Sequence, residues 1–152
     1  MSDQLQALEA WAGVLLQRID PAARNSLAKT IAQQLRRSQQ QRIGEQRNPD
    51  GSRYTPRKRR NLRSKKGRVK QKVTMFQKLR TATHLKARSN NDGISAGFTG
   101  RIARIARVHQ YGLNDQAERG APDVRYKRRE LLGFTHGELD MIRGEILNRL
   151  SE

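Results

Sequence analysis

The sequence predicts a small, single α+β domain over residues 1–152. Apolar residues recur at three- and four-residue steps near both ends of the chain, which is the periodicity of amphipathic helices. Two short apolar runs in the middle flank Asn-Asp-Gly at residues 91–93, a pattern typical of a β-hairpin. A long basic stretch lies before this hairpin, and it has too few apolar residues to build a core of its own. The chain length fits one domain with a modest core.

Two consecutive helices are predicted at the N-terminus, where we expect them to form a helical hairpin. The first covers about residues 3–18 with Ser2 as its cap, and the second covers about residues 21–41. Asp20 as the N-cap and Pro21 at the first helical position are a common opening of a helix. The apolar stripes of the two helices are Leu5, Leu8, Ala12, Leu15, Leu16 and Ile19 in the first, and Ala23, Leu27, Ile31 and Leu35 in the second.

A turn-rich loop and the basic stretch follow the second helix. Residues 44–56 contain Asn48-Pro49 and Asp50-Gly51, two dipeptides that favour turns. Because the stretch that follows buries so little apolar surface, we expect residues 44–72 to form a long, flexible basic loop unless an anion or another subunit holds it. A short helix is predicted next, from the spacing of Val73, Met75, Phe76, Leu79 and Ala82.

The middle of the chain predicts a short antiparallel hairpin and a third helix. The two strands cover residues 85–88 and 94–98, on either side of the Asn-Asp-Gly turn. A helical segment should end near Gly112, because glycine readily adopts the left-handed conformation that terminates helices. Residues 114–123 read as a polar loop, and residues 124–126 as a further strand. The helix is indicated by Ile102, Ala103, Ile105, Ala106 and Val108.

The C-terminal segment predicts a capped helix. Thr135 and Glu138 have the T-x-x-E spacing of a capping box, in which each side chain binds the other residue's backbone amide. The apolar face that follows consists of Leu139, Ile142, Ile146, Leu147 and Leu150.

The net charge of +18 and the pI of about 11.5 indicate a negatively charged partner. Nucleic acid, an acidic membrane surface and an acidic protein all fit this charge. A hydrophobic content of 34% is low for a globular chain, so we expect oligomerisation to supply part of the stability. We call residues 53–72 the basic segment; its candidate binding residues are Arg53, Arg57, Lys58, Arg59, Arg60, Arg63, Lys65, Lys66, Arg68, Lys70 and Lys72.

Three roles are open for the basic segment. It fits an arm that contacts phosphates, a nuclear-type or ribosomal extension, or a loop that docks on acidic neighbours in an assembly. Phosphate binding needs only positive charge and reach, which suits the irregular spacing of these cations. Gly67 interrupts any helix here, so a rigid helix that reads a DNA groove is not predicted.

Catalysis, metal binding and export are not expected. There are no cysteines, and His84, His109 and His136 lack the spacing of metal ligands. His109 is predicted to dock its ring on a neighbouring element. For Tyr54 and Phe76, anchoring of a loop is favoured over base stacking. No cofactor is indicated, and residues 1–9 lack the basic start of a signal peptide, so the reducing cytoplasm is the default compartment.

Five blocks of the sequence, in order, resemble the phage virion morphogenesis family, the S-type tail completion proteins of temperate contractile-tailed phages. The resemblance covers nearly the whole chain, and its last two blocks, which contain Ala-Arg-Val-His-Gln-Tyr-Gly and Leu-Leu-Gly-Phe-Thr, are the most specific. The blocks are residues 39–43, 49–51, 63–68, 104–113 and 131–135. The resemblance implies that the motif residues are structural; they are Arg107, His109, Gln110, Tyr111, Gly112, Leu131, Leu132, Gly133 and Phe134.

The resemblance also implies a structural, non-enzymatic virion protein that acts late in tail assembly, when a finished tail is closed and joined to the DNA-filled head. A small α+β fold and a hexameric or twelvefold ring around the DNA path would be expected, either as tail terminator or one layer up in the neck. The implied partners are copies of the chain, the tail tube, and terminator or connector proteins, with non-specific contact to genomic DNA and no membrane. The implied location is the virion, reached by assembly in the host cytoplasm.

A different class of function is kept as the alternative, that of a small basic nucleic-acid-binding accessory protein. Binding of polyanions with a stoichiometry set by charge alone would favour it. Ring formation and capping of tails would favour the structural virion protein.

Overall fold

The computed structural model describes residues 2–58 and 74–152, and these form a small α+β fold of the class that the sequence predicts. Their elements, in chain order, are α1 (Ser2–Leu16), α2 (Pro21–Gly44), β1 (Leu85–Asn90), β2 (Gly93–Phe98), α3 (Arg101–Tyr111), β3 (Asn114–Gln116), β4 (Asp123–Arg125) and α4 (His136–Ser151). None of the helices in this described part is long and apolar enough to cross a membrane.

Three helices share the first of two hydrophobic cores. The α1 helix packs mainly on α4, while α2 contacts both α4 and the β1–β2 hairpin. The two helices predicted to form a hairpin thus both pack on α4 more than on each other. The buried side chains of this core are Leu8, Ala12, Ile19, Leu27, Ile31, Leu139, Ile142 and Ile146.

The helix starts follow local side-chain chemistry. Asp20 caps α2, and its carboxylate accepts hydrogen bonds from the amides of Ala22 and Ala23 at 3.0 and 3.1 Å. The capping box of α4 is present in both directions: the Glu138 amide donates to the Thr135 hydroxyl at 3.1 Å, and the Thr135 amide donates to the Glu138 carboxylate at 2.9 Å. Ser2, predicted as a cap, lies inside α1 and its hydroxyl binds Asp3.

The second core lies between α2, the β1–β2 hairpin and α3. The strands pair antiparallel from Leu85 opposite Phe98 to Asn90 opposite Gly93, as the turn predicts. The Asn90 side chain accepts from the amides of Asp92 and Gly93, which closes the turn. The buried residues of this core are Ile43, Tyr54, Met75, Phe76, Leu85, Ala106 and Leu131.

The short helix predicted around residues 73–82 is wrong for the described residues, which are irregular from 74 to 76 and form turns from 77 to 84. Phe76 has φ 65°, a left-handed conformation that a right-handed helix does not contain. Met75 and Phe76 are both buried in the second core, so packing there prevails over a weak local helix preference. Val73 lies outside the described residues.

Two further details differ from the predicted pattern. Residues 114–123 contain the strand β3, which pairs antiparallel with β4 and places Asn114 opposite Arg125. Its Asn-Asp-Gln sequence has no apolar alternation, so no strand signal was present there. On α4, Leu147 is 52% exposed although the periodicity assigned it to the apolar face. Leu139, Ile142 and Ile146 are buried, so the packed face of α4 is narrower than the apolar face that the periodicity predicts.

Candidate assembly site at the base of the basic segment

Both flanks of the basic segment are fastened at one place in the fold. Tyr54 to Pro56, at the start of the basic segment, and Met75 and Phe76, just beyond its end, lie at this place. Tyr54 and Phe76 are buried there, edge to face, with their ring centroids 5.7 Å apart. The Tyr54 hydroxyl also donates to the Glu130 carbonyl at 3.0 Å. The two aromatic residues therefore anchor the loop, as predicted, and their buried rings are not placed to stack on bases.

Arg129 holds the outgoing flank. Its guanidinium donates from Nε to the Thr55 carbonyl at 2.7 Å and from Nη2 to the Pro56 carbonyl at 3.1 Å. The Arg129 amide donates to the His109 carbonyl at 2.8 Å, which fixes the backbone from which the guanidinium extends. Burial lowers the pKa of Arg129, and the nearby positive charge of Arg57 lowers it further. A buried guanidinium that binds carbonyl oxygens in this way acts as a clamp on the chain.

Gln46 holds the returning flank. Its side-chain amide donates to the Met75 carbonyl at 2.9 Å, and its side-chain carbonyl accepts from the Met75 amide at 2.8 Å. This pairing resembles one rung of an antiparallel ladder, with a side chain in place of a strand. Gln46 itself has φ 58°, so this position carries a backbone strain that its three side-chain hydrogen bonds, including one to Ile43, offset.

The His109 ring lies between the rings of Phe76 and Tyr126, the residue that follows β4. Its ring is edge-on to Phe76 at 4.8 Å and to Tyr126 at 5.1 Å, and Nδ1 lies 3.5 Å from Nη1 of Arg129. Burial lowers the pKa of His109 to about 4, and the positive charges of Arg129 and Arg57 add to this effect. The imidazole is therefore neutral near pH 7 and packs as a ring, in agreement with its predicted docking role.

Gln110 binds the segment 131–132 through its side chain. The side-chain carbonyl accepts from the amides of Leu131 and Leu132 at 2.8 and 2.9 Å, and the side-chain amide donates to the Leu132 carbonyl at 2.9 Å. The next residue of the segment is Gly133, and its carbonyl accepts a hydrogen bond from the Gln39 side chain of α2 at 3.4 Å. Residues 131–133 pair with no strand among residues 2–58 and 74–152, so these side chains supply the hydrogen bonds that a sheet would otherwise provide.

Arg42 of α2 holds the same segment from the other side. Its guanidinium donates to the carbonyls of Arg47, Glu130 and Leu131 at 3.3, 3.2 and 3.1 Å. Burial lowers the pKa of Arg42. The Asn48 side chain accepts from the Glu130 amide at 2.8 Å, so α2 and the turn that follows it both bind this stretch.

Gly112 ends α3 where the chain has no room for a side chain. It has φ 63° and ψ 49°, and its amide donates to the Val108 carbonyl. A Cβ at this position would lie 3.0 Å from the Arg128 nitrogen and 3.2 Å from the Tyr126 oxygen. Glycine is thus required both for the left-handed conformation and for the close approach of residues 126–128.

The structure brings most of the predicted motif residues together. We call the place where residues 54–56, 75–76, 109–112 and 129–133 meet the junction. It contains five of the motif residues: His109, Gln110, Gly112, Leu131 and Gly133. Leu132 and Phe134 pack beside the two cores. Arg107 and Tyr111 are exposed on α3. Of the basic segment, Arg53, Arg57 and Lys58 are exposed, and Arg53 forms an isolated β-bridge with Arg47. The remaining predicted cations lie outside the described residues; they are Arg59, Arg60, Arg63, Lys65, Lys66, Arg68, Lys70 and Lys72.

The sequence did not single out the side chains that build the junction from the helix α2 and the segment 127–130. Arg42 and Gln39 belong to the block of residues 39–43 that carries the family resemblance. Membership in that block was the one sign in the sequence that these two residues matter. Arg129 is one of many arginines, and Gln46 and Asn48 read as ordinary loop residues. No group of three or more histidine, aspartate or glutamate side chains in residues 2–58 and 74–152 is arranged to hold a metal ion. The polar groups of the junction bind the protein's own backbone, which gives a rigid support for the basic segment.

Comparison with known proteins places this chain in a family. The model of the phage virion morphogenesis family matches residues 3–151. The tail completion protein S of Escherichia phage P2 is 39% identical over 137 residues, which cover 90% of each chain. No solved structure matches the chain. The resemblance drawn from the sequence blocks is thereby confirmed, and the chain belongs to the phage virion morphogenesis family.

Proposed function

We propose that this chain is a structural virion protein that completes phage tails and takes part in joining them to heads. The tail completion name of the phage P2 relative supports this role. The observation that carries the mechanism is the junction between Tyr54 and Phe76, where both flanks of the basic segment are fastened. A positively charged segment held at both ends by a rigid base is suited to docking on a negatively charged structural partner.

The fixed base lowers the cost of ordering the segment on its partner. Binding of a free arm would require both the position of the arm and its path to be fixed, whereas here the two ends already have fixed positions. No acidic residue lies between Asp50 and Asp92, so the cations face no competing partner within that stretch of sequence. An acidic rim on the tail tube, terminator or connector is the partner that this chemistry fits.

We further propose that the copies form a ring, of six or twelve subunits, around the path of the DNA at the tail top or neck. In such a ring each subunit contributes one basic segment, which gives a positive annulus. The net charge of +18 attracts an acidic rim, and it also screens the phosphate charge of genomic DNA, with which the protein makes non-specific contact. The protein would be assembled in the host cytoplasm and end in the virion.

The test replaces Arg57, Lys58, Arg59 and Arg60 together by glutamine in a phage whose own gene is defective. We expect the variant to fold normally, because Arg57 and Lys58 are exposed. We expect it to leave DNA-filled heads beside unattached tails in electron micrographs. Normal yields of joined, infectious particles would show that these four charges are not functional.

The same variant tests the alternative of a nucleic-acid-binding accessory protein. Each phosphate contact contributes about 0.9 to the slope of log affinity against log salt concentration. A protein whose function is DNA binding should therefore show a markedly shallower salt dependence in the variant. A protein that docks on acidic neighbours should keep weak, general DNA binding and still lose tail completion.

A further inference from the structure

The helix α1 has an apolar face that the fold leaves uncovered. Leu8 and Ala12 point into the first core, but Trp11 is 37% exposed and Val14 is 64% exposed. Ala7 is exposed too, and its spacing to Trp11 and Val14, four and then three residues, places all three along one stripe. A helix that is apolar on more than its packed face is expected to bury the second face against something else.

The helix α1 carries a net negative charge in a strongly basic chain. Residues Ser2–Leu16 contain Asp3 and Glu9 and no lysine or arginine, in a protein whose net charge is +18. The α1 surface therefore does not repel a positively charged partner surface, and Asp3 and Glu9 attract it.

A second uncovered surface lies along α3 and has the opposite charge. An open groove of about 430 Å³ runs beside this helix, with Phe98, Ala103, Ala106 and Leu132 among its walls. Arg107 and Tyr111 lie at its exposed rim, and Tyr111 is 62% exposed. Within α3 there are three arginines and no acidic residue, and of these Arg104 is paired with Asp115. The groove therefore has mixed walls, apolar at Phe98, Ala103 and Leu132 and polar at Gln110, and it is positive at its edge.

We infer that α1 of one copy docks into the α3 groove of the next copy, with Trp11 and Val14 as the apolar anchors. This inference rests on the proposed ring and names the surfaces that form it. The pairing buries the apolar stripe of α1 against the apolar walls of the groove, and it brings α1, which carries no lysine or arginine, to the arginine rim. Because the two surfaces differ, each copy offers one of each, and the contact repeats from copy to copy until it closes.

Both complementary surfaces lie on the same chain, and this favours a second copy over another protein as the occupant. Packing of α1 against a second α1 would leave the groove open and gain nothing from the arginines. Packing of α3 against a second α3 would bring Arg101 and Arg107 of the two copies together, which like-charge repulsion disfavours.

The test measures self-association of the purified full chain by sedimentation in about 0.15 M salt, where long-range repulsion is screened. The variant Val14→Lys places a cation on the α1 face, and Ala103→Trp fills the α3 groove. We expect each variant alone to associate at least about tenfold more weakly than wild type. The control Val14→Glu removes the same apolar group but keeps attraction to the arginines, so it should lose less than Val14→Lys. Circular dichroism and thermal melts confirm that each variant is folded.

Mixing the two variants gives the sharpest outcome. Val14→Lys retains an intact groove, and Ala103→Trp retains an intact α1 face, so an equimolar mixture should form a one-to-one dimer and nothing larger. A second readout is charge reversal: the double variant Val14→Lys with Arg107→Glu should regain association that Val14→Lys alone has lost.

Three results would overturn the inference: a wild-type chain that stays monomeric at high concentration, variants that associate as wild type does, or Val14→Lys losing association while Ala103→Trp keeps it. The last result would mean that α1 docks on itself. Failure here is distinct from failure of the proposed function. If the variants associate normally and still complete tails, the inferred interface alone is refuted. If the chain associates through these surfaces but completes no tails, the proposed function is refuted.

Discussion

The side chain of Gln110 and the backbone of Leu132 bind each other in both directions, at 2.9 Å from amide to carbonyl and 2.9 Å from amide to side-chain oxygen. Gln110 lies near the end of α3, and Leu132 lies in a segment that pairs with no strand in the described part of the chain. The two most specific sequence blocks are thereby joined in space by one side chain. This contact also holds the segment to which Tyr54 and Arg42 donate hydrogen bonds, at the carbonyls of Glu130 and Leu131.

Replacing Gln110 by leucine should destabilise the fold. The change keeps the approximate volume but leaves the amides of Leu131 and Leu132 and one carbonyl without their partner, and unpaired buried groups cost about 1–3 kcal/mol each. We expect a loss of roughly 2 kcal/mol or more in the free energy of unfolding, measured with urea. Gln33→Leu, at an exposed position of α2, is the control. Equal stability of the two variants would show that the Gln110 contact contributes nothing.

Gly112→Val should impair folding much more than Arg104→Ala. Valine at φ 63° is strained, and its Cβ would meet the Arg128 backbone at 3.0 Å, whereas Arg104 is an exposed member of a surface ion pair. A matched control is Gly51→Ala beside Gly112→Ala: Gly51 has φ 87° but nothing near a Cβ. We expect about 1 kcal/mol for Gly51→Ala from conformation alone, and clearly more for Gly112→Ala. Equal melting temperatures of the two alanine variants would contradict the close approach.

Thr135→Ala should remove the capping box of α4. The Glu138 amide then loses its acceptor, and a loss of about 1 kcal/mol in the free energy of unfolding is expected. Thr30→Ala is the control, because Thr30 donates to a carbonyl within α2 and caps no helix. A thermal shift for Thr135→Ala no larger than that for Thr30→Ala would mean that the cap does not stabilise this helix.

The pKa of His109 predicts a loss of stability in weak acid. Burial lowers the folded-state pKa to about 4, below the unfolded value near 6.5, so the unfolded state binds more protons between these values. The contribution is full above about pH 6.5 and is lost as the pH falls toward 4. Because the ring is partly exposed, we expect on the order of 1 kcal/mol between about pH 7 and pH 5.

His109→Phe tests this because phenylalanine keeps the ring contacts and does not titrate. Its unfolding free energy should fall less than that of wild type over the same pH range, while His136→Phe, at an exposed position, should follow wild type. Parallel pH curves for wild type and His109→Phe would exclude a role for His109 in the acid sensitivity.

The features that the sequence predicted are those with a local physical cause. The Asp20 cap, the capping box at Thr135, the turn at residues 91–93 and the end of α3 at Gly112 each depend on residues within a few positions of one another. The family blocks added the positions of His109 and Gln110, and the structure supplied the reason that they lie together.

What the sequence could not show depends on contacts between distant parts of the chain. Arg42 binds residue 131 and Arg129 binds residue 55, and neither pairing leaves a local pattern among so many arginines. Phe76 adopts a left-handed conformation because the second core and its neighbours hold it there, against its own preference. The strand β3 is polar throughout, and its pairing with β4 alone defines it.

The central claim, that this chain completes phage tails, is tested most directly by adding the purified protein to a lysate of phage that lack its gene. The account predicts that infectious titre rises with added protein and that micrographs show free tails and DNA-filled heads replaced by joined particles. Poly-lysine of similar net charge is the control, because it supplies the positive charge without the fold. No rise in titre, or an equal rise with poly-lysine, would contradict the account.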